Sequence, residues 1–275
     1  MSATTPTTPT TPTLTVTGIG PVAVTIDDRG EGRPVLLLHG GGGPQTVAGF
    51  ADLLSATEHA RVITPTHPGF GGSPRPADLH SIAGLAALYA ALLDQRDLRD
   101  VILVGNSIGG WIAAELALLD NTRISSVVLV DAVGIEVPDH PVADFFSLTV
   151  DQVARFSYHD PAVFHAYAAT LSEAQRAAMA TNRAALAVYG GHPSMGDPTL
   201  RGRLAGITVP ALVLWGDSDQ IVDPDYGRAY AAAIPGARFQ VLTATGHVPQ
   251  IETPGQLLRA VWDFADTHAS GRPAR

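Results

Sequence analysis

Runs of apolar, β-branched residues alternate along the chain with stretches whose apolar positions recur at helical spacing. Residues 13–17, 22–26, 34–38, 62–64, 101–104, 127–130, 209–215 and 239–242 read as strands. The segments VILV and VVLV are apolar at every position, as in a parallel sheet covered on both faces by helices. Between the strands, Ile82, Leu85, Leu88, Tyr89, Leu92 and Leu93 form one helical stripe. Residues 107–119 are apolar nearly all round, which predicts a helix buried against the sheet. Residues 254–266 open a helix with Pro254 at its first position and Thr253 as candidate N-cap. This alternation, joined by short Gly-rich turns, predicts an α/β fold with a doubly wound, mostly parallel, eight-stranded sheet.

The alternation breaks near residue 137. From there to about 204 the chain shows helical stretches and aromatic residues (Phe145, Phe146, Phe156, Tyr158, Phe164, Tyr167, Tyr189) but no strand pattern. We therefore expect a helical insertion, 137–204, splitting a core of residues 14–136 and 205–268. Some of its aromatics form its own core and others face a pocket. The opening MSATTPTTPTTPT cannot propagate a helix and has little to bury, so residues 1–13 read as a disordered tail, as do 269–275.

Composition narrows the function. The chain has 275 residues, 45% of them hydrophobic, with 17 basic and 26 acidic side chains and a net charge of −9. That balance argues against nucleic acid and anionic membrane surfaces as partners and leaves a small molecule. Cysteine is absent, which removes thiolate chemistry and fits a reducing cytoplasm. The N-terminus has neither the basic nor the apolar region of a secretory signal. Histidines and carboxylates lack metal-ligand spacing, so no metal or organic cofactor is expected.

The chemistry gathers at four loops. Gly105-Asn106-Ser107-Ile108-Gly109 follows VILV and precedes the buried helix. The turn is too tight for side chains two residues either side of Ser107, and it exposes the Ser107 hydroxyl at a helix N-terminus that favours negative charge. His39-Gly40-Gly41-Gly42-Gly43-Pro44 follows another strand; its backbone N–H groups, at Gly41 and Gly42, with that of Ile108, make a candidate oxyanion hole. A phosphate loop is the competing reading, but the G-K-[ST] ending is missing. The third loop carries Asp217, Asp219 and Asp223, any of which could instead cap a turn. The fourth carries His247 between Gly246 and Pro249. Ser107, Asp219 and His247 thus lie beyond the C-terminal ends of three strands and can converge on one rim.

The strings LLLHGGGGP, THPGFGGSPRP, LVGNSIGG, LVLWGDSD and GHVPQIETP resemble the α/β-hydrolase superfamily over about residues 14–268. The resemblance implies Ser107 as nucleophile, His247 as base and Asp219 as acid, with Asp131 as a substitute acid position. It implies supporting roles for His39 and His67 and makes 137–204 a cap over the site. It implies an ester or lactone hydrolase working through an acyl-enzyme. A C–C bond hydrolase of the meta-cleavage-product type is the alternative. HGGGGP and Asn106-Ser107-x-Gly-Gly are similar to that group, and Arg183 could match its carboxylate-binding arginine, but Val248 stands where that group has an aromatic residue. A non-catalytic binding protein is a third reading, against which the apparent triad argues. Candidate substrate contacts are Asn106, Phe145, Phe146, Arg183 and Val248.

Overall fold

In the computed structural model, which describes residues 9–191 and 194–268, the apolar runs become nine strands. They are β1 (Thr13–Val16), β2 (Gly20–Ala23), β3 (Ile26–Arg29), β4 (Arg33–Leu38), β5 (Ala60–Pro65), β6 (Val101–Asn106), β7 (Ile124–Val130), β8 (Ala211–Gly216) and β9 (Arg238–Leu242). The helices are α1 (Gln45–Thr57), α2 (Ile82–Gln95), α3 (Ile108–Leu118), α4 (Val150–Ser157), α5 (Pro161–Thr170), α6 (Glu173–Gly190), α7 (Leu200–Arg203), α8 (Pro224–Ala232), α9 (Pro249–Glu252) and α10 (Pro254–Thr267).

The main sheet has seven strands, not eight, in the order β3-β5-β4-β6-β7-β8-β9; only β3 runs antiparallel. The difference lies at the N-terminus. Gly18 and Gly20, both at positive φ, turn β1 back on β2 as a separate two-stranded ribbon. Leu14, Val16 and Val22 bury their side chains in the same core as α2. The expected strand 22–26 is therefore two strands that belong to different sheets. Its second half continues into Ile26–Arg29, whose charges hid it. Those charges suit a sheet edge: Asp28 pairs with Arg61 of β5, and Arg29 with Asp27 and Asp52. The expected tail 1–13 is also shorter than read, because Thr10 exchanges both backbone hydrogen bonds with Ile26 and Thr13 opens β1. The remainder of that tail before residue 9, and 269–275, lie outside the described residues.

Successive side chains of each central strand enter opposite cores. Val101 and Leu103 of β6 join α2, α3 and α8 on one face; Ile102 and Val104 join α1 and α10 on the other. This double coverage explains why the VILV segment of β6 and the VVLV segment of β7 are apolar throughout. Between β7 and β8 lie α4, α5, α6 and α7 and, among the described residues, no strand of the main sheet; α4 and α6 are started by capping boxes, Thr149 with Gln152 and Ser172 with Gln175. Among the described residues no helix is long and apolar enough to cross a membrane.

The β6–α3 turn brings backbone segments into close approach. A Cβ on Gly109 would lie 2.3 Å from the Leu38 carbonyl oxygen. Gly109→Ala should therefore cost more than about 3 kcal/mol and lower the thermal midpoint by roughly 6–12 °C. Gly49→Ala, inside α1 with no atom within 4 Å of the new methyl, should instead stabilise by about 0.5–1 kcal/mol. Thermal unfolding of the two variants beside the parent checks both signs.

Candidate active site

Ser107 sits between β6 and α3 at φ 57° and ψ −120°, a backbone state that β-carbon residues avoid. Packing enforces it: a Cβ on Gly105 would meet the Gly109 carbonyl at 2.1 Å, and one on Gly110 would strike Ala132 at 2.5 Å. The Ser107 N–H donates to Val130 O at 2.9 Å, tying the turn to β7. The hydroxyl is thereby aimed at His247, with 2.9 Å between Ser107 Oγ and His247 Nε2. His247 Nδ1 lies 2.7 Å from Asp219 Oδ2, and Asp219 Oδ1 accepts the Ile221 and Val222 N–H groups at 2.8 and 3.2 Å. These bonds place the imidazole proton on Nδ1 and leave Nε2 to accept from the serine. Asp219 and His247 are both buried, so the chain of bonds is shielded from water.

The other carboxylates of that loop do structural work. Asp217 accepts the Ala244 and Thr245 N–H groups below His247, and Asp223 caps α8 while pairing with His140. Asp131, the substitute acid position, holds the Gly216 N–H at 2.8 Å and makes no hydrogen bond to His247. Thr253 does precede α10, yet its hydroxyl meets Thr245 Oγ1 at 2.9 Å rather than capping the helix.

A cavity of about 300 Å³ opens above Ser107 and His247. Its walls are mainly apolar, with Phe145, Tyr158, Phe164, Leu186 and Val248 among them, and Val150 at its edge is exposed. Of the candidate substrate contacts, Phe145, Arg183 and Val248 line the cavity, and Phe146 does not: its ring packs edge-on against Phe145, 6.0 Å between centroids, outside the cavity lining. Asn106 reaches the wall, yet its side chain is spent on the protein. Its Nδ2 donates to His247 O at 2.9 Å and its Oδ1 accepts from Gln250 at 3.0 Å, so it braces the histidine loop instead of reading a ligand. Arg183 Nη2 donates to the carbonyls of Phe145, Phe146 and Leu148, and its guanidinium lies 5.2 Å from the Phe145 ring centre. A second hollow, along β9 and α10, shares no residue with this one.

Two contributors, Asn182 and Gln250, escape a sequence reading, and Tyr167 is marked there only as one of seven aromatics of the insertion. Asn182, beside Arg183, is the buried one: it donates to Gly42 O and accepts from Gly71 N–H, both at 2.8 Å, fastening α6 to the glycine loop. Gln250 lies within the GHVPQIETP string with no spacing to mark it. Tyr167 lines the cavity with a hydroxyl sealed from solvent and without a partner among the described residues.

The glycine loop passes Ser107 so closely that a Cβ on Gly40 would sit 3.2 Å from the serine Cβ; Gly41 and Gly42 face the cavity. The Ile108 N–H, at the start of α3, has no acceptor among the described residues. Beneath the loop, His39 and His67 stack at 3.7 Å, both fully buried. His39 Nδ1 donates to Gly40 O at 2.8 Å and its Nε2 accepts the His67 N–H at 3.1 Å. His67 Nε2 donates to His39 O at 3.0 Å, and its Nδ1 accepts from the Tyr89 hydroxyl. Each ring is thus neutral with every nitrogen occupied. Burial pushes His39 down to about 4, and burial together with the adjacent ring holds His67 well below the ordinary value.

The sequence profile of the alpha/beta hydrolase fold family matches residues 33–254. A 2-hydroxy-6-oxo-2,4-heptadienoate hydrolase of Pseudomonas putida is 28% identical over 269 residues, covering 89% of this chain and 93% of that protein. A thermophilic esterase from Thermogutta terrifontis superposes with a TM-score of 0.76 at 23% identity, covering 95% of this chain and 100% of the other. A meta-cleavage product hydrolase from Pseudomonas fluorescens IP01 does so at 0.70 and 22%, covering 93% and 97%.

The histidine pair carries a pH signature. An unfolded histidine titrates near 6.5, whereas His39 folded titrates near 4. Between these values the unfolded chain binds the extra proton, so the contribution is complete above about pH 6.5 and is lost as pH falls toward 4. Each histidine should steepen the loss of unfolding free energy by up to about 1.4 kcal/mol per pH unit in that window. Denaturant unfolding at pH 7, 6 and 5 should show a shallower slope for His39→Asn than for the parent; equal slopes would mean that His39 titrates alike in the folded and unfolded chain.

Proposed function

This chain belongs to the alpha/beta hydrolase fold family, and within it we propose a serine hydrolase that cleaves carboxylic esters of small, largely apolar molecules. The observation that carries the reading is the continuous relay Ser107–His247–Asp219, at 2.9 and 2.7 Å, on the floor of an apolar cavity. His247 Nε2 takes the Ser107 proton as Oγ bonds to the acyl carbon. The carbonyl oxygen then becomes an oxyanion, received by the Ile108 N–H and an N–H of Gly41 or Gly42. Collapse breaks the ester C–O bond, and His247 returns the proton to the leaving alkoxide. Water, deprotonated by the same histidine, adds to the acyl-enzyme and releases acid and free Ser107. Asp219 holds the imidazole in its Nδ1–H form and balances its charge. The apolar walls bind the substrate by burial, at about 25 cal/mol per Å².

A second reading, C–C hydrolysis of a meta-cleavage product, is favoured by Arg183 on the cavity wall and by the name of the Pseudomonas putida relative. Against it, Arg183 already serves three carbonyls of residues 145–148, and Val248 offers no aromatic ring beside His247.

Ester turnover should fall about 10⁴- to 10⁶-fold in Ser107→Ala and roughly 10⁴-fold in Asp219→Asn, with the fold retained. A serine-directed phosphonate should add once, at Ser107; labelling elsewhere would refute the nucleophile. Across p-nitrophenyl esters, kcat/KM should rise with acyl length until the cavity fills. Arg183→Ala should change ester turnover by less than about tenfold. A wild type that prefers a 2-hydroxy-6-oxo-dienoate and loses 10- to 150-fold of that activity in Arg183→Ala, roughly 1.5–3 kcal/mol, would select the C–C reading instead.

A further inference from the structure

Asp131 is a fully buried carboxyl that the hydrolytic scheme leaves idle. It follows β7 directly beside β8, where its N–H donates to Leu214 O at 3.0 Å. Its φ of 46° is strained for a residue with a β-carbon, so the surrounding contacts hold it in place. Oδ1 accepts the Gly216 N–H, but Oδ2 is sealed from solvent with no donor among the described residues. An uncompensated buried oxygen of this kind is costly. The neighbouring carboxyl is that of Asp219: Gly216, whose N–H donates to Asp131 Oδ1, accepts the Asp219 N–H at 3.3 Å. That group is already well supplied, with the Ile221 and Val222 N–H groups on Oδ1 and His247 on Oδ2. Two buried carboxyls in contact do not both ionise, and the proton settles on the one with fewer donors.

We propose that Asp131 is a neutral carboxylic acid whose Oδ2–H donates to Asp219, a positioning residue behind the triad acid. The proton gives Oδ2 a partner and leaves Asp219 as the only anion of the pair. The added hydrogen bond makes Asp219 a weaker proton acceptor, so the Nδ1 proton stays on His247 as the imidazole charges. Burial acts in the same direction, pushing the Asp131 carboxyl well above the ordinary range, with the Asp219 charge adding to it. Asp219 and, behind it, His247 are the titratable groups facing Asp131 among the described residues.

The inference rests on the triad reading, but one readout needs no turnover. Infrared difference spectra of the full chain at pH 8 should contain a protonated-carboxyl C=O band that disappears in Asp131→Asn. If no band is lost on that substitution, the proposal is overturned; a band lost in a protein without hydrolase activity would overturn the hydrolase reading alone. Kinetics supply the second arm. The amide introduced by Asp131→Asn can still accept from Gly216 and donate to Asp219, so in that variant the acid limb of kcat/KM should stay within about 0.3 pH unit of the parent. Asp131→Ala withdraws the donor and should move that limb to higher pH. If Asp131 is instead ionised, Asp131→Asn removes a negative charge and the limb moves to lower pH by about a unit, which refutes the proposal even where the alanine variant does not fold.

Discussion

The strained turn at Ser107 is the constraint on which the rest of the site depends. A serine at positive φ survives only where its neighbours leave no alternative. Here Gly105, Gly109 and Gly110 bring three backbone segments too close for any β-carbon, and Val130 O holds the Ser107 N–H from the adjoining strand. The consequence is directional. The hydroxyl stands clear of both β6 and α3, at the point where the helix presents its free N–H groups. Loops from β4, β8 and the segment after β9 then meet it because parallel strands all deliver their C-terminal ends to the same edge of the sheet.

The helical insertion supports the His247 loop as well as lining the cavity. The His247 N–H donates to Ser157 O at the end of α4, and Gly246 passes so near that a Cβ there would lie 2.3 Å from that same oxygen. Glu252 of α9 accepts N–H groups from both Gly246 and Asp160, binding the histidine loop to the start of α5. On the other side, Asn182 fastens α6 to the glycine loop. The histidine loop and the glycine loop thus both have contacts to the insertion. Substitutions in the cap that alter pocket shape will therefore also bear on catalytic geometry, and the two effects need separating in any variant series.

Several buried polar groups near the site are paired with one another. His39, His67 and Tyr89 form a closed neutral set under the glycine loop, and beside Ser107 Asn106 links Gln250 Nε2 to the His247 carbonyl. Such sets make loop positions specific, because each misplaced member would leave a desolvated group unmatched. The Asp131–Asp219 pair extends the same logic: a carboxyl in contact with a carboxylate is tolerable when one of them keeps its proton.

Much of this was legible in the residues themselves. Runs apolar at every position announced β6 and β7, because only a strand covered on both faces avoids polar side chains; the paired glycines around Ser107 marked the tight turn for a steric reason that holds in any context. The order Ser107, Asp219, His247 followed from loops placed after strands. What the chain could not announce were relations between segments distant in sequence. The charged strand Ile26–Arg29 became a strand only because Arg61 and the β5 edge were there to receive it. Neighbouring residues took opposite fates, Phe145 on the cavity and Phe146 away from it. Asn106 and Asp131 owe their partners entirely to the packing of loops, since a hydrogen bond depends on distance and direction that residue type alone does not specify. Local sterics and hydrophobic periodicity are properties of the sequence; the pairing of polar groups across the rim is decided by tertiary structure.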